Sequence, residues 1–245
     1  MTQGIFDGAI AFYRDLEADN TREFWARERH RYDDGVKPVF AQLVAAVSGG
    51  DPGRGVGHDV GGGAGWAGLS WRVYRPHNDT RFGNATPFKT FAGAVAERAD
   101  GVGAFLQVSA RGALVGTGLP MPARDQLPRL RAAIAEESAG ADFARAVAEV
   151  EGAGVRVFHG RYEPLKRVPA GYPTDHPRAD VLRWKGIETN QRLARPAWGD
   201  VEEAAAAVVA LLATPEPLHR WLAAHVGPSA MTPEERFAPR RRSSG

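Results

Sequence analysis

The spacing of apolar residues switches repeatedly along the chain between helical and strand periods, and no other feature limits the fold as much. Phe6, Ile10, Tyr13 and Leu16 recur at helical spacing, and so do Val36, Phe40, Leu43, Val44 and Val47. Between them, Asn20 followed by Glu23 reads as a capping box opening a second helix through Phe24, Trp25 and Tyr32. The period then falls to two. Leu69, Trp71 and Val73 alternate with Ser70, Arg72 and Tyr74, as in a half-buried strand, and Pro76 ends that strand near Arg75. Phe105 to Ala110 and Ala113 to Gly118 read as a hairpin joined at Arg111-Gly112. Leu127, Leu130 and Ile134 return to helical spacing, followed by Phe143, Val147 and Val150. Val155 to Phe158 is a brief strand. Val181 to Thr189 alternates again, with Arg183 and Lys185 on one face and Leu182 and Trp184 on the other. Asp200 with Glu203, and then Thr214-Pro215, open two closing helices. This order predicts one α+β domain over residues 1–228, a mostly antiparallel sheet flanked by N- and C-terminal helices.

Two segments fall outside the pattern. Residues 49–65 contain nine glycines and are expected to form a surface loop. A phosphate-binding loop does not fit, because no Gly-Lys-Ser/Thr ending follows and a helix, not a strand, precedes the glycines. Residues 229–245 end in Arg240-Arg241-Arg242 and carry no apolar period, so a disordered basic tail is expected.

Composition narrows the chemistry. The absence of cysteine rules out disulfides, thiol nucleophiles and cysteine-based zinc sites. A net charge of +2 is too small to argue for nucleic acid by itself. The N-terminus lacks a basic flank and a long apolar run, and the longest apolar run, near Ala204 to Ala213, is too short to span a bilayer. A cytoplasmic protein with no membrane partner is the expectation.

Charge is concentrated in Trp71 to Thr90, where Arg72, Arg75, Arg81 and Lys89 sit on a strand end and the adjoining turn-rich loop. Guanidinium forks match phosphate and carboxylate, Lys89 adds a point charge, and Asp79 is placed to orient an arginine or exchange a proton. A salt-bridged structural loop is the competing reading. A second basic block supplies Lys166, Arg183 and Lys185, and Asp175-His176-Pro177 is the best acid–base candidate, with a turn as its alternative. His77-x-Asp79 offers only two metal ligands, so no metal is expected. Serine hydrolase and zincin motifs are absent.

Several of these positions fall into a family pattern. Arg75-Pro76, Asp79-Thr80-Arg81-Phe82 and Thr86-Pro87-Phe88-Lys89-Thr90 resemble the core motif of the family catalogued as domain of unknown function 2461. Leu16, Asn20, Phe24-Trp25, Tyr32 and Pro38 are similar to its N-terminal signature. Gly116 to Leu119 with Pro122, Leu127 and Arg131 resembles its central segment. Leu165 to Pro169 with Gly171-Tyr172, Asp175-His176-Pro177, Leu182 and Lys185 resembles its C-terminal signature. The resemblance implies a fold and a set of positions, not a reaction. The chain departs from the pattern at Asn78, where arginine is usual, and at Gly83-Asn84-Ala85, which replaces a longer charged run.

The expected function is that of a soluble enzyme or binding protein for a small anionic metabolite. Arg72, Arg75, Arg81 and Lys89 would clamp phosphate or carboxylate, with Lys166, Arg183 and Lys185 as an opposite wall and His176 as proton carrier. The alternatives are a nucleic-acid binder that stacks bases on Trp71, Tyr74 and Phe82, and a protein-interaction module. Reaction, cofactor and oligomeric state stay open at this point.

Overall fold

A computed structural model describes residues 4–49, 65–79, 86–194, 198–232 and 235–236. Among the described residues the fold is α+β, with six strands in one antiparallel sheet and helices flanking it. In chain order the strands are β1 (Arg72–Val73), β2 (Phe91–Glu97), β3 (Gly103–Ser109), β4 (Gly112–Leu119), β5 (Val157–Phe158) and β6 (Ile187–Arg192). Their order across the sheet is β1-β2-β3-β4-β6-β5. By contacts, the described residues group into two compact units. One lies within Met1–Ala99, Gly103–Thr117 and Asn190–Pro215, and the other within Asp100–Val102, Gly118–Thr189 and Glu216–Gly245.

In the first unit, helices α1 (Asp7–Ala18), α2 (Arg22–Arg31) and α3 (Lys37–Ser48) precede the sheet, with a π turn over Tyr32–Val36 between the last two. Of the helical stripes read from the sequence, Phe6, Tyr13, Leu16, Phe40, Leu43 and Val44 are core residues and Ile10 is half-buried. Helix α1 packs on β3 and α3 on β2, while α7 (Val201–Ala213) lies against α3. The cap of α2 differs from the sequence reading. Thr21, not Asn20, accepts the Phe24 amide, at 3.1 Å. Asn20 instead clamps Phe88, accepting its N–H at 3.1 Å and donating to its carbonyl at 3.0 Å. Trp25 stacks on the Phe88 ring with centroids 4.3 Å apart and planes 9° from parallel.

The second unit contains α4 (Gln126–Ala135), α5 (Glu137–Gly152), the single-turn α6 (Ala179–Leu182) and α8 (Glu216–His225). Trp221 of α8 donates its indole N–H to the Ala139 carbonyl of α5 at 2.8 Å and packs on Phe143. The expected strand Val181 to Thr189 begins only at Ile187, so Arg183 and Lys185 occupy the link between α6 and β6. Alternation over so few residues cannot distinguish one helical turn from a strand; here the Asp180–Arg183 pair, three residues apart, accompanies the turn.

The tail also differs from its sequence reading, over its described part. The Ser229 hydroxyl donates to Asp125 at 2.7 Å and the Ala230 N–H to the same carboxylate at 2.9 Å. Arg129 meanwhile donates to the Val226 and Pro228 carbonyls at 2.7 and 2.8 Å. Polar bonds to helix α4 hold this segment, and such bonds leave no apolar period to read. Burial alone would raise the Asp125 pKa, but the Ser229 and Ala230 bonds and the Arg129 charge lower it from 3.8 to about 2. A depressed carboxyl contributes stability above its unfolded pKa and loses it as pH falls through its folded one. Truncation at Ser229 should therefore lower the melting temperature near neutrality, by the equivalent of about 1 kcal/mol, because solvent screens part of the effect at this surface carboxyl. That deficit should shrink between pH 4 and pH 2, a window set by the two pKa values. Equal melting of both chains at neutral pH would show that the docked segment adds nothing.

Candidate functional site

The central stretch of the first unit folds as a small hairpin. His77 bridges Phe88, the Asn78 N–H donates to the Pro87 carbonyl at 2.8 Å, and the Lys89 N–H donates to the Pro76 carbonyl at 2.7 Å. The Lys89 ammonium turns inward and donates to the His77 carbonyl at 2.5 Å, and burial lowers its pKa. Lys89 thus ties its own loop. Arg72 lies over the Tyr74 ring, 5.6 Å from its centroid. Arg75 and Asp79 are exposed. Arg81 and Phe82, like most of the glycine-rich loop, lie outside the described residues. Trp71 is 1% exposed, so it is core and has no face on which a base could stack.

The second unit places Asp175 and His176 in a turn beneath the end of α4. The Arg178 N–H donates to His176 Nδ1 at 3.0 Å, so Nδ1 carries no proton and Nε2 donates to the Ala135 carbonyl at 3.2 Å. Both ring nitrogens are thereby spent on backbone, which leaves none for a substrate in this arrangement. Arg178 continues the same cap, donating to the carbonyls of Ile134 at 2.5 Å and Glu136 at 2.9 Å. The motif that reads as an acid–base pair is here a helix C-cap. Asp175 is exposed beside it.

Cations collect on the other side of the α6–β6 link. The Leu165 N–H donates to the Arg183 carbonyl at 2.8 Å, joining the proline-rich loop to that link. Arg183 pairs with Asp180 at 2.6 Å, while its Nε is buried without a partner. Arg131, from α4, reaches the same link and donates to the Trp184 carbonyl at 3.4 Å. Its Nε is also buried without a partner, and it has no ion-pair partner among the described residues. Burial lowers its pKa, with the Tyr172 phenol acting in the opposite sense. Lys185 is half-buried nearby in the chain, and Lys166 is exposed. Arg131 stands in the family's central segment by resemblance, yet its charge gave no local signal in the sequence because it sits on an ordinary helix.

Near Trp184 lies a pair that sequence reasoning missed. The rings of His159 and Trp184 are 6.4 Å apart, and Phe158 is paired with Glu188 across β5 and β6. The Arg161 N–H donates to Glu188 Oε1 at 3.0 Å, and burial raises the Glu188 pKa against the lowering effect of that bond, Arg161 and His159. No local motif announces a pair separated by 29 positions; only strand pairing brings it together. A separate concavity of about 450 Å³ is lined by Arg129, Glu136, Asp142 and His225 among others. Its arginine and both carboxylates already serve as caps or ion-pair partners, so it offers no free charge to a ligand.

The model of the family described as "Conserved hypothetical protein (DUF2461)" matches residues 8–221. The chain belongs to this family. No match was found among curated proteins or among solved structures. Within the matched span, Asn20 clamps and Trp25 stacks on Phe88, so these three residues form one structural unit. No helix among the described residues is long and apolar enough to cross a membrane.

Proposed function

We propose that this protein binds a small anionic molecule bearing phosphate or carboxylate, with Arg131 as the principal anchor. The observation that supports this is a half-buried guanidinium with no carboxylate partner and an unbonded Nε. A desolvated cation is costly unless something compensates it, and a bound anion would do so through the fork that arginine presents. Arg183 and Lys185 extend the positive surface along the link, and Lys166 follows the residue that anchors the proline-rich loop to it. Arg72 and Arg75 of the first unit form a secondary candidate, weaker because both are exposed and water already solvates them. Lys89 gives one of its three donors to its own hairpin. His176 and Asp175 have no part in this reading.

Phosphate and sulfate should raise the melting temperature of the wild type. Saturation a hundredfold above Kd corresponds to about 2.7 kcal/mol, or roughly 5–10 °C for a chain of this size. Arg131→Gln should abolish the shift and Lys185→Gln weaken it, while Arg75→Gln should leave it intact. An Arg131→Gln protein that responds to anions as the wild type does would remove this site. Binding of random oligonucleotides with a steep salt dependence would favour the nucleic-acid alternative instead.

A further inference from the structure

We propose that Met121 is a site of reversible oxidation by peroxide, and that the Tyr162 hydroxyl captures the sulfoxide formed there. This site uses none of the residues assigned to the anion.

The chain has no cysteine, so its softest nucleophiles are the thioethers of its three methionines. Met121 is 54% exposed, whereas Met231 is half-buried. The Met121 sulfur also has a partner. The Tyr162 hydroxyl, on a side chain 45% exposed, donates to Sδ at 3.4 Å. A thioether accepts weakly, so this phenol has a poor acceptor in the reduced protein.

Both partners stand on anchored backbone. Met121 lies between Pro120 and Pro122, whose rings fix φ, and the Pro120 carbonyl occupies the space that a side chain on Gly186 would need. Tyr162 follows Arg161, whose N–H donates to Glu188 Oε1 at 3.0 Å, and the Tyr162 carbonyl lies 3.0 Å from His159 Nδ1. One segment follows β4 and the other β5, so the phenol–thioether contact joins positions 41 residues apart.

The step balances with hydrogen peroxide as the oxidant. A sulfur lone pair attacks one peroxide oxygen, and the S–O bond forms as the O–O bond breaks. Sulfur is oxidised by two electrons and peroxide is reduced by two. The departing hydroxide takes the proton from the transferred oxygen and leaves as water. The sulfoxide oxygen is a strong acceptor where the thioether was a weak one. Methionine is unbranched with three rotatable bonds, so the new oxygen can turn to the phenol. Oxidation here tightens the link between the two segments, whereas oxidation of a core methionine disrupts its surroundings. A methionine sulfoxide reductase returns the thioether, its thiols becoming a disulfide as the oxygen leaves in water.

Brief treatment with hydrogen peroxide, followed by peptide mass mapping, should add oxygen to Met121 about fivefold or more faster than to Met231. Amide hydrogen–deuterium exchange in peptides covering residues 158–163 should then slow, and should recover after treatment with the reductase. In Met121→Leu, peroxide should leave exchange in that segment unchanged. In Tyr162→Phe, Met121 should still take up oxygen, but exchange should not slow. Oxidation of Met231 as fast as Met121 would overturn the site. Oxidation of Met121 with unchanged or faster exchange in 158–163, or slowing that persists in Tyr162→Phe, would overturn capture by the phenol. Failure of the reductase to restore both mass and exchange would overturn reversibility.

Discussion

Replacing Gly118 by alanine is expected to cost about 3 kcal/mol or more of folding stability. Gly118 adopts φ +131°, a conformation that side chains rarely take, and an added Cβ would fall inside contact distance of the Ile187 carbonyl oxygen. Gly186 opposes it in kind, since a Cβ there would meet the Pro120 carbonyl. Two backbones approach at this point, and neither can yield as a flexible side chain could. A urea midpoint well below that of the wild type checks the claim, with Gly152→Ala as control. Gly152 ends helix α5 with nothing within 4 Å of its Cβ position, so that change should be neutral or slightly stabilising. A Gly118→Ala chain with an unchanged midpoint would mean that the strands separate there at little cost.

Arg178→Ala should be nearly as damaging, at roughly 2–4 kcal/mol. The side chain satisfies carbonyls at the end of helix α4, and its guanidinium fills the space above Gly140, where any Cβ would collide with it. Truncation leaves those acceptors without their donor and opens a void at the start of α5. Arg178→Lys should recover less than half of the loss, because a single ammonium cannot reach carbonyls that the planar fork reaches together. His176→Ala should cost less, about 1 kcal/mol, since it removes one bond to Ala135 and the acceptor for the Arg178 N–H. Equal melting temperatures for the wild type and Arg178→Ala would refute the cap assignment.

The helices were legible because they bury a stripe. Tyr13, Leu16, Phe40 and Leu43 announce their burial by spacing alone. Strand β2 was not, although it lies between β1 and β3 in the sheet. Its sequence, Phe91-Ala92-Gly93-Ala94-Val95-Ala96-Glu97, is rich in alanine and low in strand propensity, and its inward alanines suit a surface crowded by helices. The cations of the candidate site were legible as residues, but their placement was not. Arg183, Lys185 and Lys166 were read as cations on a shared surface, but the strand expected to carry Arg183 and Lys185 is a turn and a link. His176 stood out because histidine beside aspartate is a familiar pattern, whereas its ring is committed to backbone. His159 and Glu188 did not stand out, because their relation exists only once β5 lies beside β6.

The Asn20 clamp on Phe88 also bears on how the chain acquires its structure. The bonded atoms lie 68 residues apart, so the hairpin that begins at Pro76 cannot be pinned until α1 and α2 have come to it. Closing so long a loop is entropically slow compared with forming any of the helices it joins. Ordering of the hairpin should therefore be a late event in refolding, and Asn20→Ala should speed unfolding more than it slows folding. The most recognisable motif of the family would then be among the last parts of this unit to take shape.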